Sequence, residues 1–211
     1  FRIAEQNQVS LLFEAAVAGG IPIIKTLRNN IFLNKVKKIS GILNGTTNYI
    51  LTTMETQNKS FEDVLHDAKK RGFTSDNESK LDIGGYDAAH KLTLLSTIAF
   101  GGNVDFNLNK VEGIEKITIE DINFAKYLGF RIKLISESFL VDDMICSSTK
   151  PKLIPLDKPL ANVNGALNAI NVETDQLENL YLEGEGAGGL ATASSILSDI
   201  FEISNNSLSL R

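Results

Sequence analysis

The chain has 211 residues, of which 43% are hydrophobic and 22% charged, enough for one large domain with a sizeable core. Its 21 basic and 26 acidic residues leave a net charge of −5 with no basic stripe, which argues against nucleic acid as a partner. No apolar run approaches the roughly 20 residues that span a bilayer, and a single cysteine, Cys146, allows no internal disulfide, so no membrane and a reducing, cytoplasmic setting are expected.

Phe1 to Gln6 reads like the inside of a helix, so further residues are expected before Phe1. Val9 to Val17 is an apolar run of strand length ending at Gly19-Gly20. Pro22 suits the first turn of a helix through Arg28, because its missing N–H costs nothing there. Lys35-Val36-Lys37-Lys38 reads as the solvated face of a strand that continues to Leu43. The turn Asn44-Gly45-Thr46 opens a helix from about Thr47 to Glu55. Ser60-Phe61-Glu62-Asp63 resembles a capping box and starts a helix to Arg71, stopped by Gly72.

Phe73 to Tyr86 shows no period and is expected to be a loop. A long apolar helix follows from Asp87 to about Phe100, and Thr118 opens another that ends near Gly129. Arg131 to Ser138, Phe139 to Ser148 and Ala166 to Thr174 have strand character, with Pro151, Pro155 and Pro159 expected to break the middle. Asn179 to Glu183 is a short strand, and Ala191 to Glu202 a last helix. The alternation indicates an α/β (α+β) fold, a mixed β-sheet covered by helices, with residues 1–211 as one domain.

Two local patterns carry chemistry. Gly184-Glu185-Gly186-Ala187-Gly188-Gly189 matches G-x-G-x-x-G between a strand and a helix, where backbone approaches a pyrophosphate closely. A dinucleotide fold also needs a second parallel strand and an acidic residue roughly 20 residues on, and that spot holds Ser207, Leu208 and Ser209. A turn bordering a cofactor held by another domain fits better. The second pattern is Asp82-Ile83-Gly84-Gly85-Tyr86-Asp87-Ala88-Ala89-His90-Lys91. Asp87 and Lys91 are four apart on one helix face. Spacing alone favours a surface ion pair. The alternative is an ammonium fixed by a carboxylate and able to exchange a proton with a substrate oxygen. Asp76, Glu78 and Asp82 offer carboxylates for a substrate ammonium. His66 and His90 are too few for a histidine-rich metal site. Cys146 lies in an apolar strand and reads as a small hydrophobe, not the nucleophile of a thiol-acylating semialdehyde dehydrogenase.

Phe13 to Ile24, Gly41 to Ile50, Gly85 to Leu92 and the late glycine turn at Gly184 to Thr192 occur together, in order. In these motifs the chain resembles the homoserine dehydrogenases, over almost its whole length. The resemblance implies a substrate-binding, catalytic and dimerisation domain, whose ends, about 1–16 and 178–203, pack on an N-terminal nucleotide-binding domain. It implies interconversion of L-homoserine and L-aspartate 4-semialdehyde with NAD(P), a step towards threonine, methionine and isoleucine, in a homodimer. Lys91 then stands at the catalytic proton-transfer position. Asp87 binds substrate and orients Lys91, Asp82 is a further acidic site residue, and Gly45 and Thr46 line the substrate. Gly186 touches the cofactor. Backbone carbonyls of Glu14, Val17, Gly19 and Ile21 are implied to hold a monovalent cation, Na+ or K+; read without the resemblance, that segment is a plain turn. One departure stands out: Gly72-Phe73-Thr74-Ser75-Asp76 lacks the family's tyrosine and substrate-binding glutamate; Ser75 or Asp76 takes the glutamate's place, and Asp76 is preferred because it keeps a carboxylate. Isolated from a nucleotide-binding domain, the chain is expected to be inactive; the alternative reading is a non-catalytic dimerisation module.

Overall fold

Strand pairing builds one six-stranded sheet among the residues that the computed structural model describes, 2–75, 78–101, 104–142 and 144–209. The strands are β1 (Val36–Ile42), β2 (Asn109–Val111), β3 (Phe130–Val141), β4 (Met144–Pro155), β5 (Leu167–Thr174) and β6 (Asn179–Glu185). Their order is β2-β4-β3-β1-β5-β6. Every neighbouring pair is antiparallel except β2 with β4, so the sheet is mixed, as expected.

The helices are α1 (Arg2–Gln6), α2 (Ile23–Lys25), α3 (Gly45–Gln57), α4 (Phe61–Lys70), α5 (Ser79–Ile83), α6 (Tyr86–Phe100), α7 (Ile119–Tyr127) and α8 (Gly189–Ser209). The starts of α3, α4 and α7 follow from side chains that satisfy the free N–H groups of a first turn. Asn44 accepts from the Thr47 amide at 2.8 Å and Ser60 from Asp63 at 3.2 Å, while Thr118 and Asp121 form a reciprocal capping box. Gly72 (φ 77°) follows α4 and Gly129 (φ 84°) follows α7, both in the left-handed region that glycine enters freely. One sheet face is buried under the helices, where Ile39, Leu134, Ile170 and Val172 meet Ile50, Met54, Leu92 and Leu95. On the other face Ile42, Ile135, Val163 and Ala169 form a small second cluster.

Five expectations need correcting. Val9 to Val17 is not a strand. Val9 and Leu11 are exposed, and Glu14–Ala16 forms a 3-10 turn. The reason is Glu14, whose carboxylate turns inward to accept from the Ile24 and Lys25 amides, each at 2.8 Å. The 73–86 segment is not all loop, since α5 interrupts it. Pro151 does not break its strand; it pairs with Leu134 inside β4. Along β4, β2 reaches only Thr149, so from Lys150 onward β4 is an edge strand, where proline's missing donor is tolerated. The boundary expected between Ser138 and Phe139 is absent too, because β3 runs on to Val141 before the hairpin. The Pro22 helix also differs at its end, passing into a π-turn at Thr26–Asn30.

Candidate active site

The β1–α3 junction, α5 and the start of α6 converge on one cavity of about 680 Å³. Its walls include Asn44, Gly45, Thr46, Glu78, Asp82, Asp87, His90 and Lys91, together with Ala166 and the Gly186-Ala187-Gly188 turn. Sequence positions more than a hundred apart thus share one hollow.

Lys91 Nζ donates to Asp87 Oδ2 at 2.7 Å and to the Leu43 carbonyl at 3.2 Å. The side chains are 22% and 33% exposed, so the pair is neither sunk in the core nor free in solvent. An ammonium has three N–H donors; with two used among the described residues, one remains for a ligand in the cavity. Asp87 occupies the first turn of α6, where the helix dipole favours a carboxylate.

Asn44 joins the acidic groups. Its amide nitrogen donates to Asp82 Oδ1 and to Asp87 Oδ2, both at 2.8 Å, while its oxygen caps α3. Thr74 donates to the other Asp82 oxygen at 2.8 Å. Burial pushes the Asp82 carboxyl above the usual carboxylate range, against the downward pull of the Thr74 and Asn44 hydrogen bonds. Thr46 donates to the Phe73 carbonyl at 3.0 Å, which ties the 72–75 turn to α3. Asp76 lies outside the described residues. Glu78 lines the cavity and accepts from Ser75 at 2.8 Å. Sequence reasoning passed over Asn44 as a site residue, although its position three before Thr47 marks it as a helix cap. Thr74, Tyr86 and His90 carried no comparable signal.

Gly184 and Glu185 belong to β6, so the turn proper begins at Gly186. β6 is an edge strand antiparallel to β5, which leaves no parallel βαβ unit here among the described residues. A side chain at 186 would place its Cβ 2.1 Å from the Asn168 amide, so the wall is bare backbone by necessity. Lys91 is the sole Lys or Arg among the lining residues, and it is engaged by Asp87. The cavity therefore does not suit a pyrophosphate.

Around Glu14, Val17, Gly19 and Ile21 the chain curls through Ala18 at φ 49°. The Gly19 and Gly20 amides donate to the Gly186 and Glu185 carbonyls at 2.9 and 2.8 Å, fastening this loop to the glycine turn. The Gly19 carbonyl accepts from Ser195 Oγ and the Ile21 carbonyl from the Ile23 amide, each keeping a second lone pair. With the Glu14 carboxylate spent on Ile24 and Lys25, the oxygens on offer are neutral carbonyls, a donor set that fits a hard monovalent ion. Among the described residues no three His, Cys, Asp or Glu side chains gather as metal ligands. Cys146 stands on β4 and does not line the cavity.

The homoserine dehydrogenase family profile matches residues 22–201. The chain is 43% identical over 203 residues to a homoserine dehydrogenase of Neisseria gonorrhoeae, covering 96% of this chain and 46% of that protein. It is 39% identical to the Bacillus subtilis homoserine dehydrogenase, with coverages of 96% and 47%. The crystal structure of a Thiobacillus denitrificans homoserine dehydrogenase superposes with a TM-score of 0.93 at 42% identity, covering 96% of this chain and 47% of that one. A hyperthermophilic archaeal homoserine dehydrogenase in complex with NADPH superposes with a TM-score of 0.82 at 30% identity, covering 97% and 59%. The chain thus spans about half the length of the curated relatives it matches.

Proposed function

The chain belongs to the homoserine dehydrogenase family, and we propose that within its full-length protein it forms the substrate-binding and proton-transfer half of an NAD(P)-dependent homoserine dehydrogenase. The observation that carries this reading is Lys91, an ammonium anchored by Asp87 and the Leu43 carbonyl on the wall of a cavity that also contains the Gly186 turn.

Gly186 would border the bound NAD(P), which would supply or accept the hydride. In the reducing direction Lys91 gives a proton to the carbonyl oxygen of aspartate semialdehyde as that oxygen becomes the hydroxyl of homoserine. Asp87 aims Lys91 through the 2.7 Å hydrogen bond between them. In the oxidising direction the neutral amine takes the hydroxyl proton back. Asp82 and Glu78, with Asp76 two residues earlier in sequence, receive the substrate ammonium. Gly45 and Thr46 form the bare and hydroxyl-bearing wall beneath the substrate. The carbonyls of Glu14, Val17, Gly19 and Ile21 hold a monovalent cation that stiffens the loop fastened to the glycine turn.

That the one lysine lining the cavity is engaged by Asp87 supports a separate nucleotide-binding domain as the holder of the cofactor phosphates. Exposed apolar side chains on α8, Leu197 and Phe201, and near the chain start, Ile3 and Val9, suit a covering of that kind. A second copy is proposed to pack on the sheet face away from the helices, where Val141 and Met144 are exposed. The test is turnover by the full-length protein. L-homoserine should drive reduction of NAD(P)+, whereas the same alcohol without its ammonium should not. Equal turnover of both would overturn the substrate assignment.

A further inference from the structure

Lys133 lies deep in the protein with 2% of its surface exposed, and it takes no part in the proposed chemistry. On β3 the pairing with β1 ends at Ser136, opposite Gly41. Beyond that point the edge of β3 faces α3 and the segment that leads into β5. Lys133 Nζ donates there to Asn48 Oδ1 at 2.9 Å and to the Val163 carbonyl. The Asn48 amide donates to the carbonyls of Val163 and Leu167, each at 3.1 Å. Arg131, two residues earlier and so on the same strand face, donates to the Ala161 carbonyl at 3.2 Å and to Asn162 Oδ1 at 2.9 Å. Two cations of one strand therefore grip residues 161, 162 and 163 in succession.

The gripped segment runs straight into the cavity wall. Ala166 lines the cavity, and its carbonyl sits 2.6 Å from where a Cβ on Gly45 would be. Gly45 and Thr46 form the first turn of α3, and Asn48 is in its next turn. The same helix thus carries the substrate wall at its start and the clamp on the 163–167 turn a few residues later.

A lysine buried without an adjacent carboxylate is costly, because desolvation disfavours its charge. Burial, with Arg131 nearby, holds its ammonium at about 8, and Glu55 pulls the other way. Retaining such a group for packing alone is inefficient, since an apolar side chain of similar volume fills the space without that cost. We propose that Lys133 is a positioning residue of the substrate pocket, which holds the 163–167 turn against the start of α3 and so sets the separation of the Gly45 wall from the Gly186 wall. This rests on the proposed substrate site but concerns residues that touch no substrate.

The experiment uses two variants of the full-length protein, Lys133→Met and Asn48→Asp. The first removes the ammonium. The second keeps an acceptor for it but removes the donor to Val163 and Leu167, and it decides the matter if Lys133→Met does not fold. Both should raise KM for L-homoserine about tenfold with kcat within about threefold, the signature of a displaced binding wall. Amide exchange at Gly45, Thr46 and Ala166 should quicken in both. A fall in kcat at unchanged KM, as a smaller folded fraction gives, would overturn the proposal, as would unchanged exchange at those amides. A parent protein that does not turn over homoserine would sink the substrate reading instead, while the exchange data would still judge Lys133.

Discussion

The amide nitrogen of Asn44 and the carboxylate of Asp87 meet at 2.8 Å, on the same Oδ2 atom that the Lys91 ammonium reaches at 2.7 Å. One oxygen thus receives the helix cap of α3 and the ammonium of α6. The second hydrogen of that amide goes to Asp82 at 2.8 Å. Two carboxylates stay close because a neutral donor stands between them, and the geometry of the proposed proton donor depends on a residue with no chemistry of its own.

Replacing Asn44 separates its two jobs. Asn44→Ala should lose about 1 kcal/mol of stability from the missing cap and leave Asp82 and Asp87 unbridged. Asn44→Asp should keep the cap but add a third carboxylate where a donor stood. Both variants should therefore melt below the parent, the first for want of a cap and the second through carboxylate repulsion, and both should lose at least tenfold in kcat/KM. Parent-like kinetics in Asn44→Asp would show that the bridge is dispensable.

The pH dependence of stability follows from Asp82. Burial raises its folded pKa above the unfolded value near 3.8, so its protonated form favours folding. That contribution is complete below the unfolded value and is lost as pH rises through the folded one. Ionised Asp82 is therefore a cost at about pH 7, and Asp82→Asn, which retains both partners, should melt higher than the parent there. The difference should close as pH falls towards about 4. Melting curves that stay parallel across this range would contradict the assignment.

Gly45 tests the wall itself. A Cβ at this position would lie 2.6 Å from the Ala166 carbonyl, which is backbone and cannot swing aside. Gly45→Ala should cost about 1–3 kcal/mol of stability by overpacking and raise KM for homoserine more than it lowers kcat. Calorimetry and steady-state kinetics on the same preparation decide the point. A variant that melts with the parent and binds as tightly would mean that Ala166 yields.

Much of this was legible in the sequence because its cues are local. The spacing of Asp87 and Lys91 put both on one helix face, and Ser60, Thr118, Gly72 and Gly129 marked helix ends that the structure keeps. What escaped was set by partners far away in the chain. Val9 to Val17 had the composition of a strand, yet Glu14 was drawn out of it to cap amides ten residues on. Pro151 looked like a breaker because nothing local announces that β2 stops short of it. Asn44 was visible as a turn residue, but its bridge needs Asp82 and Asp87, about forty residues later, to fold back over it.

The proton-transfer role of Lys91 is tested most directly by kcat of full-length Lys91→Ala with homoserine and NAD(P)+. A group that moves a proton in the transition state contributes about 10²–10⁴-fold. The account expects kcat to fall by at least a hundredfold, with KM for homoserine changed only a few-fold and NADPH binding intact. A variant whose kcat stays within twofold of the parent would contradict it.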